Sequence, residues 1–246
     1  MRTLGARYVS SMPTTTLSPR GTTARGTTIA LKLLMAVTGL VFVGYLLLHM
    51  YGNLKALTGE EGFNEYAEHL RTFLTPMLPY GGLLWIVRVV LLLSLVGHTY
   101  AAYTLWSRAG SARRTKYAAV KTAATSKWMR WGGTFLLVFI GWHLLHFTIV
   151  KISPNGDKQG PNITENPYQL VVASFQVWWM VLIYVAAMIA LFMHLKHGVY
   201  SAQQTLGWTG SPKAHARART ISLAVAALIA VGFLIPPLSI AFGLID

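Results

Sequence analysis

Eight histidines stand in this chain of 246 residues, and five of them fall within or at the end of long apolar runs: His49, His98, His143, His146 and His194. An imidazole buried in an apolar run is costly without a partner, so each marks a candidate site. For any single one, a hydrogen bond to a neighbouring helix would be enough. The set is more informative than its members. Each of the first four runs carries at least one such histidine, the third carrying both His143 and His146, and successive runs cross in opposite directions. At about 1.5 Å of rise per residue, His49 and His143 fall at one depth and His98 and His194 at another. Two opposed neutral imidazoles, one above and one below, are what the iron of a non-covalent haem needs. The spacing therefore predicts two stacked bis-histidine haem sites. Zinc fits less well, because no carboxylate or thiolate shares a layer with these rings.

The elements that must position these residues are apolar helices. Hydrophobic residues make up 54% of the chain and charged ones only 11%, against about 25% charged in an average soluble domain. Five runs are long enough to cross a hydrocarbon core of about 30 Å. They cover roughly 28–51 (extending toward 57), 80–106, 128–150, 168–194 (extending toward 206) and 220–244. Backbone groups in lipid must be satisfied within the segment, so these runs are read as helices. The fold class is thus all-α: an integral membrane bundle of five transmembrane helices (28–246), preceded by an N-terminal segment (1–27). A cleaved signal peptide is not expected, since the first helix is long and the next follows as in a multispan protein.

The net charge of +14 reflects 21 Lys and Arg against 7 Asp and Glu. The basic residues lie between apolar runs rather than on one face of a globule, which argues against nucleic acid as partner and for lipid headgroups. They alternate. The N-terminal segment, the second connection (Arg108 to Arg130) and the fourth (Lys196 to Arg219) are basic, whereas the first connection sets Lys55 and Arg71 against Glu60, Glu61, Glu65 and Glu68. By the positive-inside rule the N-terminus is cytoplasmic and the C-terminus outside. His49 and His143 then form an outer layer, and His98 and His194 an inner one. The stretch Gly62–Leu70 reads as amphipathic and surface-lying. Pro236-Pro237 is expected to kink or locally break the fifth helix. The absence of cysteine excludes a disulfide framework, a thiolate-held iron–sulfur cluster within this chain and a covalent C-x-x-C-H haem, but not haem b.

Other polar residues admit two roles. Arg88, inside the second run, either snorkels or meets a carboxylate such as a propionate of the outer haem. Lys32 is read as snorkelling. His146, three residues after His143 and on the same helical face, could replace it as ligand, bond a propionate or serve a quinone. His197 stands in the same relation to His194. A quinone that is reduced needs protons, and Glu65, Glu68 and His69, with His146, are outer-side candidates to handle them. His215 reads as an ordinary polar residue.

Several stretches together resemble the cytochrome b subunit of succinate dehydrogenase in its single-chain, five-helix form. They are Lys32–Leu40, Leu48-His49-Met50-Tyr51-Gly52-Asn53-Leu54, Phe63-Asn64-Glu65-Tyr66-Ala67, Gly97-His98-Thr99-Tyr100, Trp142-His143-Leu144-Leu145-His146-Phe147 and His194–Gly207. The resemblance runs from about Leu31 to Trp208. It implies two b haems, with His98 and His194 holding the proximal one and His49 and His143 the distal one. It also implies a flavoprotein and an iron–sulfur subunit as partners, a quinone (menaquinone) as substrate, and a bacterial cytoplasmic membrane. On this reading the chain is not itself catalytic: succinate is oxidised in the partners, and this chain anchors them and carries electrons onward. The alternatives are a dihaem cytochrome b of another quinone-linked dehydrogenase, and a haem-free membrane anchor.

Overall fold

The computed structural model describes residues 27–111, 124–152 and 165–245. The N-terminal segment, the centre of the second connection and most of the third lie outside these residues, and with them much of the charge alternation used to orient the chain. Among the described residues the chain is helical without strands. Five helices are long and apolar enough to cross a membrane: α1 (Thr28–Leu54), α3 (Gly82–Ser111), α4 (Ala124–Leu144), α6 (Trp178–Thr205) and α7 (Pro212–Ala241). Two short helices, α2 (Gly59–Thr72) and α5 (Pro167–Phe175), complete the set.

Local chemistry sets the helix starts. The Thr27 hydroxyl accepts from the Ala30 amide at 3.1 Å, and Ser211 caps Ala214 at 3.2 Å with Pro212 in the first turn. Both satisfy amides that the first turn leaves without intrahelical partners. At the far end of α1 a 3₁₀ turn, Lys55–Thr58, leads to Gly59, whose φ of +80° turns the chain into α2. Glycine takes that conformation without a Cβ clash. No residue of α2 is buried, as the amphipathic reading of Gly62–Leu70 implies. Polar bonds tie α2 to the start of α5. Asn64 donates to Asn166 Oδ1 at 3.0 Å and accepts from the Tyr168 amide at 3.2 Å, while Gln169 donates to Glu60 at 3.2 Å.

Two sequence expectations need correction. The fourth apolar run is not one helix: α5 ends at Phe175, Val177 is extended (φ −94°, ψ 112°), and α6 starts at Trp178. The run is apolar on both sides of the break, so hydropathy carries no mark of it. The expected break at Pro236-Pro237 does not occur either: α7 continues through both prolines to Ala241. Both prolines are buried in the packed part of α7, where neighbouring helices hold the segment in place.

The surface suits lipid. Large apolar side chains face outward along the helices, among them Leu93 at 67% and Val138 at 68% exposed, an arrangement water would penalise. Within the bundle α1 packs against α3, α6 and α7, α4 packs against α6, and α6 packs most extensively against α7. The helix pairs α1–α4 and α3–α6 are not packed against one another in this way. With α3 joined to α4 through Tyr103–Thr134 and Trp106–Trp131, they form the two diagonals of a four-helix array.

Candidate functional site

Each diagonal is bridged by one histidine couple. His49 on α1 faces His143 on α4, with ring centres 5.8 Å apart and planes at 80°. His98 on α3 faces His194 on α6 at 6.2 Å and 56°. Metal–imidazole bonds run at about 2 Å, so two imidazoles sharing one iron hold their ring centres about 6 Å apart. Both couples have that separation. All four rings are half-buried, and each couple lies between helices that leave the diagonal open. Among the described residues no cluster of three or more His, Cys, Asp or Glu occurs, so the imidazoles come in twos and not as a zinc-type set.

The two couples lie at different depths. Gly39 faces His98 and precedes His49 on α1 by ten residues; Gly133 faces His194 and precedes His143 on α4 by ten. Tyr184 bonds His143 and precedes His194 on α6 by ten. Three helices therefore agree on a layer separation of about 15 Å.

Hydrogen bonds decide which ring nitrogen is free. The Thr38 hydroxyl donates to the Leu34 carbonyl at 2.7 Å. Its proton is then spent, so at 3.1 Å from His98 Nδ1 it must accept. His98 consequently carries its proton on Nδ1 and presents the Nε2 lone pair, the form a metal ligand needs. His143 Nδ1 lies 3.1 Å from the Tyr184 hydroxyl. His49 stacks on Tyr45 (5.3 Å, 10°) and lies 3.5 Å through Nε2 from Asn53 Nδ2. His194 Nδ1 is buried without a hydrogen-bond partner among the described residues.

Glycine shapes the His98/His194 layer. A Cβ built on Gly39 would lie 3.4 Å from His98 Cε1, and one on Gly133 would lie 3.3 Å from His194 Cε1. The second is tight enough that a side chain there would push the ring. The donor set, the open diagonals and these bare backbone surfaces fit a flat group with two axial imidazoles.

The remaining candidates are placed as follows. His197 is exposed and has no part in the couple, so His194 is the residue that faces His98. His146 is 1% exposed, and its two nitrogens meet Ser174 Oγ (2.9 Å) and Tyr184 OH (3.4 Å). Both nitrogens are engaged within the protein, which leaves neither for a propionate or an iron. Arg88 is exposed, with its guanidinium 4.9 Å from the Trp85 ring centre, a cation–π contact. Lys32 is exposed on α1, and His215 bonds Tyr200 at 2.9 Å.

Glu65, Glu68 and His69 are all exposed on α2. Glu68 lines a cleft of about 360 Å³ together with Asn64, Arg71, Glu165, Asn166 and Pro167. Glu68 accepts from Tyr80 at 2.8 Å and pairs with Arg71 at 3.5 Å. The bond to Glu68 holds the Tyr80 phenol above the ordinary tyrosine value.

Sequence reasoning missed Thr38, Gly39, Gly133, Ser174 and Tyr184. Small and hydroxyl residues on apolar helices are a general sign of helix contacts, but that sign does not say which contact is a histidine.

Comparison with known proteins agrees with this architecture. The model of the succinate dehydrogenase/fumarate reductase transmembrane subunit family matches residues 104–235, more than half of the chain. Neither a curated protein nor a solved structure matches it.

Proposed function

Because this chain belongs to the succinate dehydrogenase/fumarate reductase transmembrane subunit family, and so is a multi-pass membrane subunit of such a complex, we propose that it holds two b haems and conducts electrons between an iron–sulfur partner and a quinone. His98 and His194 would hold one haem, and His49 and His143 the other. The observation that carries this reading is the pair of imidazole couples, each spanning a diagonal of the bundle at an iron-bridging distance. When bound, haem b supplies reversible one-electron transfer, with a potential set by its ligands and their surroundings.

The chain's own residues divide the remaining work. Thr38 fixes the tautomer of His98. Gly39 and Gly133 keep Cβ atoms away from the His98 and His194 rings. Burial among apolar helices keeps water from both layers. The layer of His98 and His194 is the proximal one, facing a flavoprotein and iron–sulfur pair docked on the basic, cytoplasmic side of a bacterial membrane. The quinone, menaquinone on this reading, is served at the His49/His143 end. Glu68 is the group best placed to exchange protons there, because it lines the cleft beside Arg71; Glu65 and His69 stand on the same helix outside it. Arg88, ten residues before His98 on α3, is the candidate propionate partner for that layer.

The family match sets aside the cytochromes of unrelated quinone-linked dehydrogenases. Spectroscopy decides between the dihaem reading and a haem-free anchor. The purified complex should show b-type absorption in its reduced-minus-oxidised spectrum and two haems per chain by pyridine haemochrome. Succinate should reduce both. A folded, succinate-oxidising complex without b-type absorption would overturn the proposal.

A further inference from the structure

We propose that Ser174, His146 and Tyr184 form a one-directional hydrogen-bond chain that fixes His143 in the single tautomer able to bind iron through Nε2. The inference rests on the dihaem reading and adds positioning residues to it.

The direction follows from a carbonyl that can only accept. The Ser174 hydroxyl lies 2.6 Å from the Leu170 carbonyl oxygen and donates to it. With its proton spent, Ser174 Oγ accepts from His146 Nε2, 2.9 Å away. His146 is 1% exposed and has no carboxylate among its hydrogen-bond partners, so it is the neutral imidazole, which carries one proton. That proton is on Nε2, and Nδ1 is an acceptor. The Tyr184 hydroxyl, 3.4 Å away, donates to it. Tyr184 then offers only lone pairs to His143 Nδ1 at 3.1 Å. His143 must donate from Nδ1, which leaves its Nε2 lone pair free.

The backbone is shaped around this chain. His146 sits in a π-helical turn, Leu145–Ile149, that continues α4. Such turns are rare and occur frequently at functional sites. Ser174 precedes the break at Gln176-Val177, and Tyr184 follows it. The His146 ring is therefore held by α5 and α6 as well as by its own helix. Without His146, the Tyr184 hydroxyl could instead donate to His143 Nδ1. The His143 proton would then sit on Nε2, where it blocks ligation. The chain excludes that arrangement.

The test uses the holo-complex in a His98→Ala background, which keeps only the His49/His143 haem, and follows that haem by redox titration and by the low-spin electron paramagnetic resonance signal. Tyr184→Phe removes the acceptor for Nδ1–H and weakens imidazole donation to iron. An upward shift in midpoint potential with an altered low-spin signal is expected. His146→Leu should lower the haem content at this site, because the tautomer is no longer fixed. Ser174→Ala, the smallest change, should give a shift of the same sign as Tyr184→Phe but smaller. In the mirror background, His49→Ala, Tyr184→Phe should leave the His98/His194 haem unmoved. Unchanged potential and unchanged signal in the Tyr184 and Ser174 variants would overturn the chain while leaving two haems in the parent protein. Absence of b haem from the parent protein would overturn the dihaem reading itself.

Discussion

The two histidine couples have nearly the same ring separation but are held in different ways. Around His49 and His143 the surroundings are aromatic and hydrogen-bonded. Tyr45 stacks on His49, Phe233 lies 5.5 Å from it, and Phe139, Phe147 and Tyr184 ring His143 at 5.4 to 6.0 Å. Around His98 and His194 the support is sparser: one hydroxyl from Thr38, the edge of Phe42 at 6.2 Å, and bare backbone at Gly39 and Gly133. His194 Nδ1 is buried with no hydrogen-bond partner among the described residues. One layer is held by side chains that clamp the imidazoles, the other by close backbone approach. Ligand orientation and second-layer hydrogen bonds tune a metal's affinity and potential, so the two sites should respond to different substitutions.

The largest effect tests whether the couples are separate at all. His49→Ala or His143→Ala should each lower haem stoichiometry from two to one, and the double variant should still hold one. Combining His49→Ala with His98→Ala should remove both. Pyridine haemochrome on the folded complexes reads this directly. Loss of both haems from His49→Ala/His143→Ala, with one kept in the cross-layer double, would mean that the rings pair across layers.

A smaller and more selective effect should follow from filling the backbone surface. Gly133→Leu pushes a side chain into the space of the His194 ring, an overpacking of about 1–3 kcal/mol. It should cost the His98/His194 haem while leaving the other in place. Gly133→Ala, where the ring needs to give only slightly from the 3.3 Å contact, should retain that haem with an altered spectrum. Gly44→Ala is the control, because a Cβ there meets nothing within 4 Å. Equal haem content in Gly133→Leu and Gly44→Ala would show that close backbone approach does not define this site.

Thr38→Val separates hydrogen bonding from packing within the same layer. It keeps the volume and removes the acceptor, stranding a buried N–H at a cost of about 1–3 kcal/mol. Loss of such an outer partner typically lowers metal-site affinity roughly 10–100-fold. Haem should therefore leave the His98/His194 site faster than in the parent, as measured by transfer to an apo-globin acceptor. An unchanged rate would mean that Thr38 serves only its own helix through Leu34.

What could be read in the sequence, and what could not, divides along the same line. The five crossings, the depth of each histidine and the choice of partners were legible because apolar length and helical rise are one-dimensional quantities. Contacts that depend on how helices face one another were not. His146 looked like a spare ligand because it shares a face with His143. Its engagement with Ser174 and Tyr184 depends on a π turn and a helix break that hydropathy does not register. Gly39 and Gly133 are ordinary small residues until the ring opposite each is known. The prolines of α7 suggested a break, yet the helix runs through them in the packed part of the bundle.

The smallest expected effect lies outside both layers, where α2 meets the start of α3. Tyr80 donates to Glu68 at 2.8 Å on an exposed surface, and the bond holds the phenol above the ordinary tyrosine value. A group whose folded value is raised contributes its stabilisation fully below the unfolded value and loses it as pH rises through the folded one. The clamp should therefore be intact up to about pH 10 and open above it. Tyrosinate absorbance in the ultraviolet should show one phenol fewer in the late-titrating group after Tyr80→Phe. Glu68→Gln should return one phenol to the ordinary range. Neither variant should alter the haem spectra, since both imidazole couples are anchored on α1, α3, α4 and α6. A changed spectrum of the His49/His143 haem in Tyr80→Phe would extend that layer's clamp as far as α2, and the contrast between an enclosed and a sparse layer would then have to include the surface helix.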